Sequence, residues 1–208
     1  MPLSISYRCP RRHVEQARRL SPQIEAAPGA PEGIVRTVAE ERLPEIARPG
    51  DLIICRTNAP RVECVFKLLK RGIRAVISGK EMNSNLQNLA REVKGDTLSE
   101  MRQRLEIWHD VERQRLADCE ASETQCALSD DRVASLKAIM AHCHTPTDVF
   151  TSLNDLYRRR AGRVTLSTVH RAKGLEAERV IILRPDQLPL AVKRDWERCQ
   201  EFNINMWR

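Results

Sequence analysis

The stretch Val164-Thr-Leu-Ser-Thr-Val-His-Arg-Ala-Lys-Gly-Leu-Glu-Ala-Glu-Arg-Val-Ile-Ile-Leu183 constrains the fold of this chain more than any other. Two apolar, β-branched segments, Val164 to Val169 and Val180 to Leu183, flank a polar turn. A continuous apolar run, rather than an alternating one, predicts strands buried on both faces, as in a parallel sheet covered by helices. The turn carries the hydroxyl of Thr168, the imidazole of His170, the cations Arg171 and Lys173, Gly174, and the carboxylate of Glu176. Polar groups gathered just past the carboxyl end of such a strand lie where open α/β sheets bind ligands.

The same grammar appears earlier. After the Pro49-Gly50 turn, Asp51 to Cys55 reads as a buried strand, and Thr57-Asn58 are placed to cap a helix beginning near Pro60. Val62, Val65, Phe66 and Leu69 make its apolar face, Gly72 ends it, and Ile73 to Ile77 returns as a strand, completing a βαβ unit. From Met82 to about Arg160 the pattern turns helical. Leu98, Met101, Leu105, Trp108 and Val111 recur at helical steps, Leu128 to Met140 predicts a helix started by Ser129-Asp130, and Pro146 to Tyr157 predicts a third. Toward the N-terminus, Pro10 opens a helix carrying Val14, Ala17 and Leu20. Ser21 to Gly33 reads as a loop, Gly33 to Val38 as a short strand, and Ala39 to Ala47 as a helix interrupted by Pro44. A loop over Pro185 to Pro189 and a final helix from Ala191 close the chain. The expected fold is therefore α/β, with a discontinuous domain over 1–81 and 161–208 and a helical insertion over 82–160.

With 208 residues, 41% apolar and 30% charged, the chain can bury one good core. It holds no apolar run near the ~20 residues that cross a bilayer, so no membrane partner is expected. No secretory signal pattern opens it. Seven cysteines, none in a Cys-x-x-Cys pair, predict reduced thiols in a cytoplasmic protein. A net charge of +7 and a pI near 9.3 favour a polyanionic partner. His142-Cys143-His144, with Cys126 nearby in sequence, lacks paired metal-ligand spacing; the reading is a helix-end cap and a core contact, with no metal site. Arg158-Arg-Arg160 reads as a solvated turn or a contact to backbone phosphate.

The run around Thr168-x-His170-x-x-Lys173-Gly174-Leu175-Glu176 resembles motif V of the UvrD-like superfamily 1 DNA helicases. The resemblance extends over nearly the whole chain and implies the second, C-terminal RecA-like motor domain. It implies that Thr168 and His170 face single-stranded DNA, and that Glu176 touches the sugar of ATP, with Gly174 and Lys173 serving the turn or the phosphate chain. A hydroxyl and an imidazole can meet phosphate or base without demanding a sequence. Leu52-Ile-Ile-Cys-Arg-Thr-Asn58 is similar to the family strand ending in Arg-Thr-Asn, which implies DNA-side positions for Arg56 and Asn58. Ser6-Tyr7-Arg8-Cys9-Pro10 is similar to the family's entry motif, which implies that Arg8 reaches the γ-phosphate as an arginine finger. The planar guanidinium suits that task because it stays charged and offers two donors in a fixed fork.

Other parts of that motor are not found in these residues. A phosphate-cradling loop needs Gly-x-x-x-x-Gly-Lys-Ser/Thr, whereas Gly72 to Lys80 has the wrong glycine spacing and is followed by Glu81. No apolar strand ends in the paired acids that hold Mg²⁺. Trp196-Glu-x-x-Gln200-Glu201-x-Asn203-Ile204 is similar to the lead-in to motif VI, and the motif's arginine does not follow before Arg208. The expectation is the C-terminal half of an ATP-dependent 3′–5′ helicase in a truncated chain. It would use ATP and Mg²⁺ only together with a separate N-terminal motor domain, and would be inactive as an ATPase alone. Two alternatives stay open: a non-catalytic DNA-binding or partner module of a split helicase, working with a separately encoded ATPase half, and an inactive gene remnant.

Overall fold

The computed structural model describes residues 4–19, 21–158 and 163–187. Its residues form two compact units, Met1–Glu40 with Asp186–Arg208, and Glu41–Pro185.

In the first unit, strand β1 (Ile5–Ser6) pairs in parallel with β2 (Glu25–Ala26), and helix α1 (Arg11–Ala17) lies between them in sequence. Pro10 precedes α1, as expected, because its missing N–H would be unsatisfied at a helix start in any case. Val14 and Ala17 are the buried positions of α1. The predicted loop over Ser21 to Gly33 thus contains a strand, held where Glu25 N donates to Ser4 O at 2.7 Å and Ala27 N to Ser6 O at 3.1 Å. Gly33, at φ 74°, lies against Pro10 so closely that a Cβ would fall 2.4 Å from the proline Cβ. The predicted strand from Gly33 to Val38 does not form. Ile34, Val35 and Val38 stay exposed and find no pairing strand among the described residues, without which extended backbone leaves its polar groups to water.

The second unit opens with a 3₁₀ turn (Glu40–Arg42, its first residue in the other unit) and the short helix α2 (Leu43–Ile46). Pro44 falls within the first turn of α2, where it is tolerated, so the expected helix over 39–47 is shortened rather than broken. Strands β3 (Leu52–Cys55), β4 (Ala75–Ile77), β5 (Val164–Thr168) and β6 (Val180–Ile182) form an all-parallel sheet in the order β4-β5-β3-β6. All residues of β3 and β4 are buried, and β5 has only Thr165 partly exposed. The edge strand β6 is more open. The α/β class and the parallel sheet are therefore present, and the two-faced burial expected from the apolar runs holds for β3, β4 and β5 but not for β6, which lies at the sheet's edge with Val180 exposed. The βαβ unit over 51–77 is present too, but β5 inserts between its two strands.

Helix α3 (Ala59–Lys70) connects β3 to β4. Between β4 and β5 run α4 (Lys80–Glu92), α5 (Leu98–Asp118), α6 (Glu123–Met140) and α7 (Pro146–Tyr157). The expected boundaries at 81/82 and 160/161 are not where the compact units divide: these helices share one core with the sheet. Leu86, Leu89, Met101, Leu105, Leu136 and Leu153 are buried in the same cluster as Ile53 and Ile77. α6 begins earlier than Ser129-Asp130, at a capping box in which Ser122 Oγ accepts from Gln125 N and Gln125 Oε1 accepts from Ser122 N. α7 has the predicted bounds, with Thr145 and Asp148 forming its box. The apolar stripe of α5 ends short of Val111, which is 64% exposed. At ~100° per residue each three-residue step falls about 60° short of a turn, so two in succession from Leu105 carry Val111 off the buried face.

Candidate nucleic-acid interface

Strand register builds one polar edge in the second unit. Cys55 stands opposite Thr168, Ile54 opposite Ile182, and Ile77 opposite Leu166. The segments leaving β3, β5, β4 and β6 therefore emerge side by side at the carboxyl edge of the sheet. They begin respectively with Arg56-Thr57-Asn58, Val169-His170-Arg171, Ser78-Gly79 and Leu183-Arg184. Ser78 N donates to Leu166 O at 2.7 Å and Leu183 N to Ile54 O at 2.8 Å, extending the ladder past the strand ends.

After β5 the chain enters helix α8 (Val169–Ala172), a single turn with Thr168 at its N-cap. Val169 is buried, so His170 and Arg171 fall on the exposed side. Arg171 Nη2 donates to Glu81 Oε2 at 2.6 Å, tying α8 to the start of α4. On the opposite flank Arg184 Nη2 donates to Glu63 Oε2 at 2.9 Å. The edge thus presents cations already matched by exposed or half-exposed carboxylates. The following turn holds Lys173, Gly174 and Glu176, all exposed, with Gly174 at φ 84°. A left-handed backbone at that position favours glycine and explains the residue type.

Beneath the edge lies a buried polar joint. Arg61 on α3 is 1% exposed. Its Nη1 donates to Ser78 O at 3.1 Å, and its Nη2 donates to Asn58 Oδ1. Asp131 on α6 accepts from Asn58 N at 2.9 Å, Ala59 N at 2.9 Å and Asn58 Nδ2 at 2.5 Å. Burial holds the Arg61 pKa below the usual guanidinium range. Burial also pushes the Cys55 thiol up to about 12, against the pull of the Arg61 charge, and the thiol donates to Thr57 O at 2.9 Å. The Tyr157 phenol is likewise pushed up to about 12 by burial, again opposed by Arg61. Arg61 Nε and the Tyr157 hydroxyl are buried without a hydrogen-bond partner among the described residues.

The predicted DNA-side residues Arg56, Asn58, Thr168 and His170 are brought together on this edge, from segments more than a hundred residues apart in sequence. Their accessibility differs. His170 is exposed and Asn58 half-buried, whereas Arg56 and Thr168 are 8% and 9% exposed. The predicted nucleotide-side residues Lys173, Gly174 and Glu176 continue from the same strand end. Arg8 is exposed in the other unit. The expected capping by Asn58 takes a different form: its side chain makes no cap bond, and Asp131 supplies the acceptor instead. His142 stacks at 4.2 Å on Phe66, Cys143 is buried, and His144 N donates to Asp148 at 3.0 Å, a core contact and a cap as read from sequence. No group of metal-binding side chains assembles among the described residues. Arg159, Arg160, and the expected helix from Ala191 with Trp196, Gln200 and Glu201 lie outside the described residues.

Arg61, Asp131 and Tyr157 were not singled out by sequence. Arg61 sits at the start of an otherwise apolar helix face, beside Val62 and Val65, which is a faint signal of burial. Asp131 and Tyr157 carry none. Among the described residues no helix is long and apolar enough to cross a membrane. Comparison with protein-family models, with curated proteins and with solved structures finds no match in any of the three.

Proposed function

We propose that this chain contributes a single-stranded DNA grip to a UvrD-like helicase motor, as its second, RecA-like half. One observation carries the reading. The segment that resembles motif V is a buried parallel strand opening into an exposed His170-Arg171 turn, beside the loop that resembles the family's Arg-Thr-Asn. A hydroxyl, an imidazole and guanidinium groups at one sheet edge suit backbone phosphate and base faces, and the +7 charge favours a polyanion overall. Lys173, Gly174 and Glu176 would serve the nucleotide from the adjoining turn, and Arg8 would supply the finger. ATP and Mg²⁺ enter this reading only with a separate N-terminal motor domain, because these residues carry no phosphate-cradling loop.

The test is binding of a fluorescent oligothymidine to the purified chain across a salt series, in parallel with a duplex of the same length. Preference for the single strand, sensitivity to salt and loss on His170→Ala are the expected results. Equal affinity for duplex and single strand, or affinity independent of salt, would remove the reading.

A further inference from the structure

The densest hydrogen bonding at this edge comes from a residue outside it. The first N–H groups of a helix have no partner within the helix, and an N-cap side chain usually accepts from them. In α3 the N-cap Asn58 has helical dihedrals, φ −89° and ψ −38°, and its side chain makes no cap bond. That side chain is committed elsewhere, its Oδ1 to Arg61 and its Nδ2 to Asp131. The Asp131 carboxylate, from a position 73 residues along the chain, takes the backbone N–H of Asn58 and of Ala59. A carboxylate there also faces the positive end of the α3 dipole. Asp131 itself sits mid-helix in α6, where its carbonyl oxygen accepts from Ser135 Oγ at 2.6 Å. Through Arg61 and Ser78 O, the same network reaches the segment leaving β4.

We propose that Asp131 is a positioning residue for the interface. Through it, the helical segment between β4 and β5 holds Arg56-Thr57-Asn58 in place, so that segment braces the edge as well as filling the core. Only the consequence for DNA rests on the function proposed above; the hold on the loop does not. A carboxylate that merely stabilised α6 would act on the whole unit alike, whereas a brace acts on the loop first.

The experiment uses the full 208-residue chain. Amide hydrogen exchange over residues 57–61 and oligothymidine binding are measured for Asp131→Ala, Asp131→Asn and Ser122→Ala. The last variant weakens the same helix at its cap without touching the loop. Asp131→Ala is expected to speed exchange over 57–61 by roughly tenfold or more, while the remainder of the unit stays protected. It is also expected to weaken oligothymidine binding by roughly fivefold or more, and adding Asn58→Ala should weaken it little further, since both act on one contact. Asp131→Asn keeps one acceptor oxygen and should recover part of both effects. Ser122→Ala should move neither. Unchanged exchange over 57–61 in a folded Asp131→Ala chain would overturn the proposal. So would parental DNA affinity in that variant alongside a loss in His170→Ala. If the parent chain itself bound no oligothymidine, the DNA reading would fall, and the exchange result would still decide whether Asp131 holds the loop.

Discussion

At the scale of single residues, His170 is the sharpest test. It is the exposed member of the proposed DNA-side set, so under the proposed function its removal should cost affinity without disturbing the fold. His170→Ala is expected to weaken oligothymidine binding by about 1 kcal/mol or somewhat more, equally for every sequence tried, with an unchanged unfolding midpoint. Binding isotherms on several homopolymers check this. Cys55 and Tyr157 make a second residue-scale prediction, in the alkaline range. Their folded pKa values lie near 12, above their ordinary 9.0 and 10.0, because burial disfavours the charged forms. The unfolded chain therefore releases these protons first. The stability they contribute is complete below about pH 9 and is lost as pH rises from there toward 12. Urea midpoints should fall steadily across that window, and Cys55→Ala should flatten the first part of the fall. In the folded chain at pH 8, a thiol reagent should label the exposed Cys9 and Cys119 well before the buried Cys55, Cys64 and Cys143.

At the scale of elements, the capping boxes and the ion pairs make opposite predictions. Ser122 and Thr145 each accept from the N–H three residues on, at 3.2 Å in both cases. Ser122→Ala and Thr145→Ala should each lower stability by about 1 kcal/mol, read from urea unfolding. Glu81 pairs with Arg171 at a largely exposed site, with side chains 77% and 39% exposed, so Glu81→Gln should change stability little. The same substitution frees Arg171 for phosphate. Under the proposed function it should strengthen oligothymidine binding and steepen its dependence on salt, and an unchanged or weakened affinity would place Arg171 outside the DNA contact.

At the scale of the whole molecule, the charge and the two units set expectations. Under the proposed function the net charge of +7 would attract a polyanion, but only the phosphates that are neutralised count toward the salt slope. If ~3 are, the affinity should fall with a log–log slope of about −2, measured between low and moderate salt. Arg8 belongs to the unit that does not contain the polar edge. Under the proposed function, with an ATPase half supplied separately, Arg8→Ala should lower turnover by on the order of 10³-fold while leaving nucleotide affinity nearly unchanged, because an arginine finger would act on the transition state. Arg8→Lys should recover little, since it keeps the charge and loses the fork. Equal stimulation of the partner by the Arg8→Ala chain would reduce the Tyr7-Arg8 match to a structural one.

The sequence by itself determined the α/β class, the buried strands it placed over 51–55 and 164–169 to within a residue of where they form, the bounds of α7, and a polar turn at the carboxyl end of β5. Each of these is written locally, in an apolar run, a helical period, or a threonine and proline at a helix start. Only the tertiary structure decided that β5 lies between β4 and β3, and that the Arg56 and His170 segments share an edge. It alone buried Arg61 and put Asp131 in the capping role expected of Asn58. It also left Ile34 and Val35 outside any strand among the described residues, and divided the molecule at 40/41 and 185/186. These outcomes depend on which distant segment satisfies a given backbone donor or covers a given face. A pattern read a few residues at a time carries the need for a partner, and the folded chain supplies which partner it is.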